Sequence, residues 1–247
     1  MKESFALLKR ALSARRFPSA HSKLWLISLL SGLCMVLAAK AQNLVYDNLS
    51  TAPTRGFGDL NANNPIFGDS LNLTQGGRLS ALGLTLFNPN DVDNLGTVLF
   101  TGTMVVKFYD NTVPYLGGVL NNPLLGSATL TWDFTGFGGL HPGQFSPNYY
   151  NLTSLNINLP QHILVTQQFT QTSGTSIRNG AALYGNPTIG SSPDNIYIKA
   201  SDINEGLYPV GGFAAQFGYQ IQVVPEPATF ALVGLAAAAL LIIRRRK

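Results

Sequence analysis

The chain has 247 residues and a formal charge of +4, from 16 Lys and Arg against 12 Asp and Glu, and the basic excess sits entirely at its two ends. Seven cationic residues precede Gln42 and four are the last four positions, so residues 42–224 keep five basic side chains against ten acidic ones, a formal charge of −5. That balance argues against nucleic-acid binding, because no basic patch is left to displace counterions from phosphates. The single cysteine, Cys34, also precedes Gln42, so the middle of the chain forms no disulfide and offers no thiolate nucleophile or zinc ligand.

In chain order, residues 1–23 carry Lys2, Lys9, Arg10, Arg15, Arg16 and Lys23 against one acid, Glu3. Residues 24–39 form an apolar run, and Ala39 and Ala41 put small residues at the two positions a signal peptidase reads, with cleavage predicted before Gln42. Residues 1–41 therefore read as a secretory signal peptide. A retained membrane helix is the weaker alternative, since the run is short and ends in that small-x-small site.

Residues 42–223 read as one β domain, long enough to bury a core without covalent staples. In residues 97–111 the apolar set Val98, Phe100, Met104, Val106 and Phe108 falls on alternate positions, with Gly102 in the gap, which is the period of a half-buried strand. Residues 213–223 repeat the pattern, with Ala215, Phe217, Tyr219, Ile221 and Val223 on one face and Gln216, Gln220 and Gln222 on the other. Further strands are predicted at 44–48, 70–74, 79–87, 124–135, 152–159, 162–170, 181–184 and 195–199. Turn-forming clusters such as Gly76-Gly77, Asn121-Asn122-Pro123 and His141-Pro142-Gly143 separate them. No sustained helical period and no fixed repeat occurs. The fold expected is all-β, an antiparallel sandwich of jelly-roll type, flanked by the signal peptide and a C-terminal transmembrane helix.

Catalytic residues are not expected. The domain holds only His141 and His162 as side chains titrating near neutrality, and their setting is that of a turn and a strand edge. It lacks a Gly-x-Ser-x-Gly elbow, a His-Glu-x-x-His pair and a phosphate-cradling loop. Asp110, Asp133 and Glu205 could serve a glycosidase only if the fold brought two of them together. No cofactor is expected. A calcium site is the one candidate, from Asp91, Asp93 and Asn94 in the oxygen-rich stretch 88–94, with a solvated turn as the simpler reading. For glycan contact the candidates are Tyr149 and Tyr150, which cannot both face one way on a strand, with Trp132, Tyr115 and Tyr184 behind them. The sequons at Asn48, Asn72 and Asn151 read as chance.

The chain ends with Val224-Pro225-Glu226-Pro227, the apolar run 228–243 and the basic cluster Arg244, Arg245, Arg246 and Lys247. The two prolines keep a helix from propagating backwards, so the tetrapeptide is a hinge. A run apolar on all sides suits lipid, and at roughly 24 Å of helix it is slightly short for a hydrocarbon layer of roughly 30 Å. The basic cluster holds the cytoplasmic side and places the domain outside.

These three parts, in this order, resemble the PEP-CTERM sorting signal of exopolysaccharide-producing Gram-negative bacteria. The resemblance covers residues 224–247. It implies recognition of Pro225, Glu226 and Pro227 by a membrane-embedded exosortase that cleaves near the motif, with Arg244–Lys247 fixing orientation. Within the domain, Val45-Tyr46-Asp47-Asn48, Phe67-Gly68-Asp69-Ser70-Leu71, Gly77-Arg78-Leu79 and Lys107-Phe108-Tyr109-Asp110-Asn111 are similar, more loosely, to a recurrent cargo type of such proteins, which implies a β-sandwich and no particular activity. The function expected is an exported, non-catalytic surface or matrix protein. It is processed by signal peptidase and exosortase, anchored transiently in the inner membrane, and then associated with extracellular polysaccharide. A glycan-binding or adhesive module is the alternative, and a polysaccharide-acting enzyme comes third.

Overall fold

A computed structural model describes residues 42–57, 65–87, 99–135, 144–174, 180–209 and 216–224. These form fourteen strands in two antiparallel sheets. They are β1 (Asn43–Asp47), β2 (Pro53–Phe57), β3 (Ile66–Asn72), β4 (Gly77–Phe87), β5 (Phe100–Asp110), β6 (Leu124–Asp133), β7 (Phe145–Asn151), β8 (Asn158–Leu159), β9 (His162–Gly174), β10 (Gly180–Tyr184), β11 (Asn195–Lys199), β12 (Gly206–Pro209), β13 (Gln216–Phe217) and β14 (Tyr219–Val224). The first sheet runs β1-β14-β4-β10-β13, with β2 on β10 and with β7 and β8 on β4, and the second runs β12-β11-β3-β9-β5-β6. Among the described residues no helix is long and apolar enough to cross a membrane. The expected signal peptide and the expected helix 228–243 lie outside the described residues.

The period-two pattern decides which side chains meet between the sheets. On β5, Phe100, Met104, Val106 and Phe108 are buried and the residues between them face outward, as the sequence predicts. Gly102 interrupts the apolar series because a Cβ there would overlap the Phe169 ring of the neighbouring strand. Aromatic contacts tie the layers together. Phe67 of β3 meets Phe217 of β13 at 5.7 Å, and Trp132 of β6 meets Tyr150 of β7 edge-on at 5.8 Å.

Two predicted strands differ from what forms. The expected strand at 213–223 is described from Gln216 and is broken at Gly218, where β13 pairs with β10 and β14 with β1 and β4. The break is stitched by Asn48, whose amide donates to the Phe217 carbonyl at 2.9 Å and accepts from the Tyr219 amide at 2.8 Å. The expected strand at 152–159 is instead a 3-10 turn, Thr153–Leu155, followed by the short β8. Asn156 in the left-handed region (φ 51°) ends extended geometry there, and Leu152 and Ile157 are buried as plugs under the connection.

The strands β2, β7 and β12 are not predicted by periodicity. Among the described residues each pairs on one side only, and each contains a proline: Pro53, Pro147 or Pro209. A residue without an N–H is tolerated on an edge, where half of the backbone groups need no partner.

Candidate functional site

The outer face of the second sheet carries a groove of about 160 Å³. Antiparallel register builds it from two adjacent rows: Lys199, Ile66, Gln168 and Val105, then Tyr197, Gly68, Thr166 and Lys107. All point away from the main core because their neighbours along each strand point into it. The β5–β6 connection folds back to form a wall, with Tyr115 packed edge-on against Tyr197 at 5.6 Å and the Leu120 amide donating to Glu205 Oε1 at 2.8 Å.

Glu205 is the electrostatic hub. Its Oε2 accepts from Lys199 Nζ at 2.7 Å, and its Oε1 accepts from the Tyr197 hydroxyl at 2.9 Å. Burial pushes the Glu205 carboxyl up, but the Lys199 ammonium, the Leu120 amide and the Tyr197 hydroxyl outweigh it and hold it below the usual range. The same carboxylate adds to burial in pushing the Tyr197 hydroxyl well above its ordinary value. Lys107, at the far end of the groove, is exposed and makes no ion pair among the described residues.

A second polar cluster lies between the sheets. Asp69 is fully buried in the inner row of Ile196, Val165 and Phe108. Its Oδ1 accepts from Ser192 Oγ at 2.8 Å, while Oδ2 has no hydrogen-bond partner. Burial pushes its pKa well above the carboxylate range, against the lowering effect of the Ser192 hydroxyl and the Phe217 and Ser70 amides. Above it, Tyr46 donates to Gln216 Oε1 at 3.1 Å, and the buried Tyr219 hydroxyl is unpartnered.

Sequence-based candidates fall as follows. Tyr149 and Tyr150 occupy opposite faces of β7, as alternation requires. Tyr149 is 60% exposed. Tyr150 turns inward, with its ring on Trp132 and its hydroxyl donating to the Thr131 carbonyl, and burial pushes its pKa up to about 12. Trp132, Tyr115 and Tyr184 are buried, so these aromatics form no shared platform.

Asp110 and Asp133 do not converge. They sit at opposite ends of the β5–β6 hairpin, each accepting from a threonine two residues on, Thr112 and Thr135. Those hydrogen bonds lower both carboxyl pKa values. His162 at the start of β9 bonds Asn72 Oδ1 at 2.7 Å. The Asn48 sequon is buried and its amide is consumed by backbone, so it presents no glycan acceptor.

The described residues contain no cluster of three His, Cys, Asp or Glu able to hold a metal. Asp91, Asp93 and Asn94 lie outside the described residues, as do His141, Ala39, Ala41, Pro225, Glu226, Pro227 and the cluster Arg244, Arg245, Arg246 and Lys247.

Sequence reasoning missed the groove. Its signal was present, since residues 42–224 contain only two lysines, Lys107 and Lys199. What could not be read was that β3 and β9 alone separate the strands that carry them.

Comparison with known proteins adds little about the domain. No curated protein matches the chain. Among solved structures, one described as the structure of infectious bursal disease virus Gx strain is similar at 10% identity and a TM-score of 0.28, covering 74% of this chain and 36% of that one. The chain thus spans about a third of that chain's length, and a likeness this low does not establish a shared arrangement. The tail is different. Residues 223–247 match the PEP-CTERM protein-sorting motif, so this chain carries the PEP-CTERM sorting signal, which supports an exported protein processed by an exosortase.

Proposed function

We propose that this jelly-roll-like sandwich is a non-catalytic cell-surface or extracellular-matrix protein associated with exopolysaccharide. It enters the secretory route through residues 1–41, is held in the inner membrane by residues 228–243, and is released near Pro225-Glu226-Pro227. The observation that carries this reading is the sorting-motif match over residues 223–247, which overlaps the last two residues of β14. The sandwich is therefore the cargo that the tail delivers.

The test is Glu226→Ala in the native host. It should leave an uncleaved, membrane-retained precursor, whereas the native chain should be recovered outside the cell, in the polysaccharide fraction, with an intact mass reporting loss of both ends. Normal maturation of the variant would count against exosortase processing. Absence of the native protein from the polysaccharide fraction would count against matrix association.

A glycan-binding module is the second reading, favoured by the groove with Lys107, Lys199 and Glu205. A polysaccharide-acting enzyme ranks behind both, because Asp110 and Asp133 are far apart and each is committed to its own turn.

A further inference from the structure

We propose that the groove on the second sheet binds an anionic polysaccharide segment. This rests on the matrix-association reading above and adds the chemistry of the ligand and where it sits. In a stretch of formal charge −5, the only two lysines lie on strands separated by two others and line one groove. From β11 to β5 the floor spans three strand spacings, about 14 Å at ~4.8 Å each. That suits a short run of sugar rings better than a single ion.

Each part of the groove answers a part of such a ligand. Lys107 is a cation without an internal counter-charge among the described residues, and a carboxylate or sulfate on the sugar supplies one. At the other end, the Lys199–Glu205 pair sets a donor beside an acceptor, the combination that neighbouring sugar hydroxyls satisfy. Half-buried Tyr109 gives the C–H face of a ring an apolar surface. Because residues 42–224 are net negative, binding of an anion depends on these two lysines and is sensitive to salt.

The test is titration calorimetry of the full chain in mild detergent against polygalacturonate, dextran sulfate and neutral dextran. Binding to at least one charged polymer and not to dextran is expected, and it should weaken in about 1 M salt, where the screening length is roughly 3 Å. Lys107→Gln should cost at least about tenfold in affinity with an unchanged melting temperature, as expected for one charge-assisted hydrogen bond. Lys107→Arg should keep most of the binding.

Equal binding to dextran, no binding to any of the three, or full binding by Lys107→Gln would each overturn the assignment. Matrix association is judged separately by recovery of the native protein in the polysaccharide fraction. Loss of that fractionation, with titration unchanged, would sink the broader reading instead.

Discussion

Asn48 and Asp69 are both buried polar residues, yet they bear opposite relations to stability. Asn48 hydrogen-bonds the two backbone groups on either side of the break at Gly218. Asn48→Ala should therefore destabilise the fold by about 2–4 kcal/mol, read from denaturant midpoints, since it removes two buried hydrogen bonds to the backbone. Asp69 has a desolvated carboxyl with one oxygen unpartnered, faced by Tyr46 and Tyr219 from the first sheet and by Ser192, with Asp47 nearby.

The folded-state pKa of Asp69 is raised above the unfolded value of about 3.9, so the folded chain holds the proton more tightly. Its stability contribution is complete below pH ~4 and is lost as pH climbs through the folded pKa. Asp69→Asn should accordingly stabilise the protein by roughly 1–3 kcal/mol at pH 7. The gain should vanish near pH 4, which melting curves of both chains at the two pH values would reveal. A gain that grew on acidification would contradict this account.

At the scale of elements, β5 and β14 show how much a strand's neighbours constrain it. Gly102 lies under the Phe169 ring, so Gly102→Ala should force that ring or the β5–β9 pairing to move, at about 1–3 kcal/mol. The same change at Gly117, where a Cβ meets nothing within 4 Å but φ is +107°, should act through backbone strain alone. β14 is central, paired with β1 on one side and β4 on the other. A chain ending at Val224 should keep the full melting temperature, while one ending at Gly218 should not fold, as circular dichroism would report.

For the whole molecule, that position of β14 constrains processing. The last strand of the sandwich is also the strand nearest the sorting signal, so cleavage compatible with a stable product lies beyond Val224. It closes the sheet between β4 and β1, and β1 comes from the other end of the domain. Such long-range closure is slow relative to hairpin formation.

Much was decided by residue order alone. The alternation on β5 and β14, the −5 middle and the Pro-Glu-Pro tail are local patterns, and local patterns survive without knowledge of partners. They set the all-β class and mark the chain with its sorting signal. Strands β2, β7 and β12 were hidden because their prolines are permitted only by an edge position, which is a property of the sheet and not of the segment. The groove was hidden for a related reason. Lys107 and Lys199 are 92 positions apart in sequence, and only the pairing of β11 with β3, β3 with β9 and β9 with β5 sets them around one floor. Sequence determines which face of a strand a side chain takes, through the backbone's period of two; tertiary pairing decides whose side chains stand beside it.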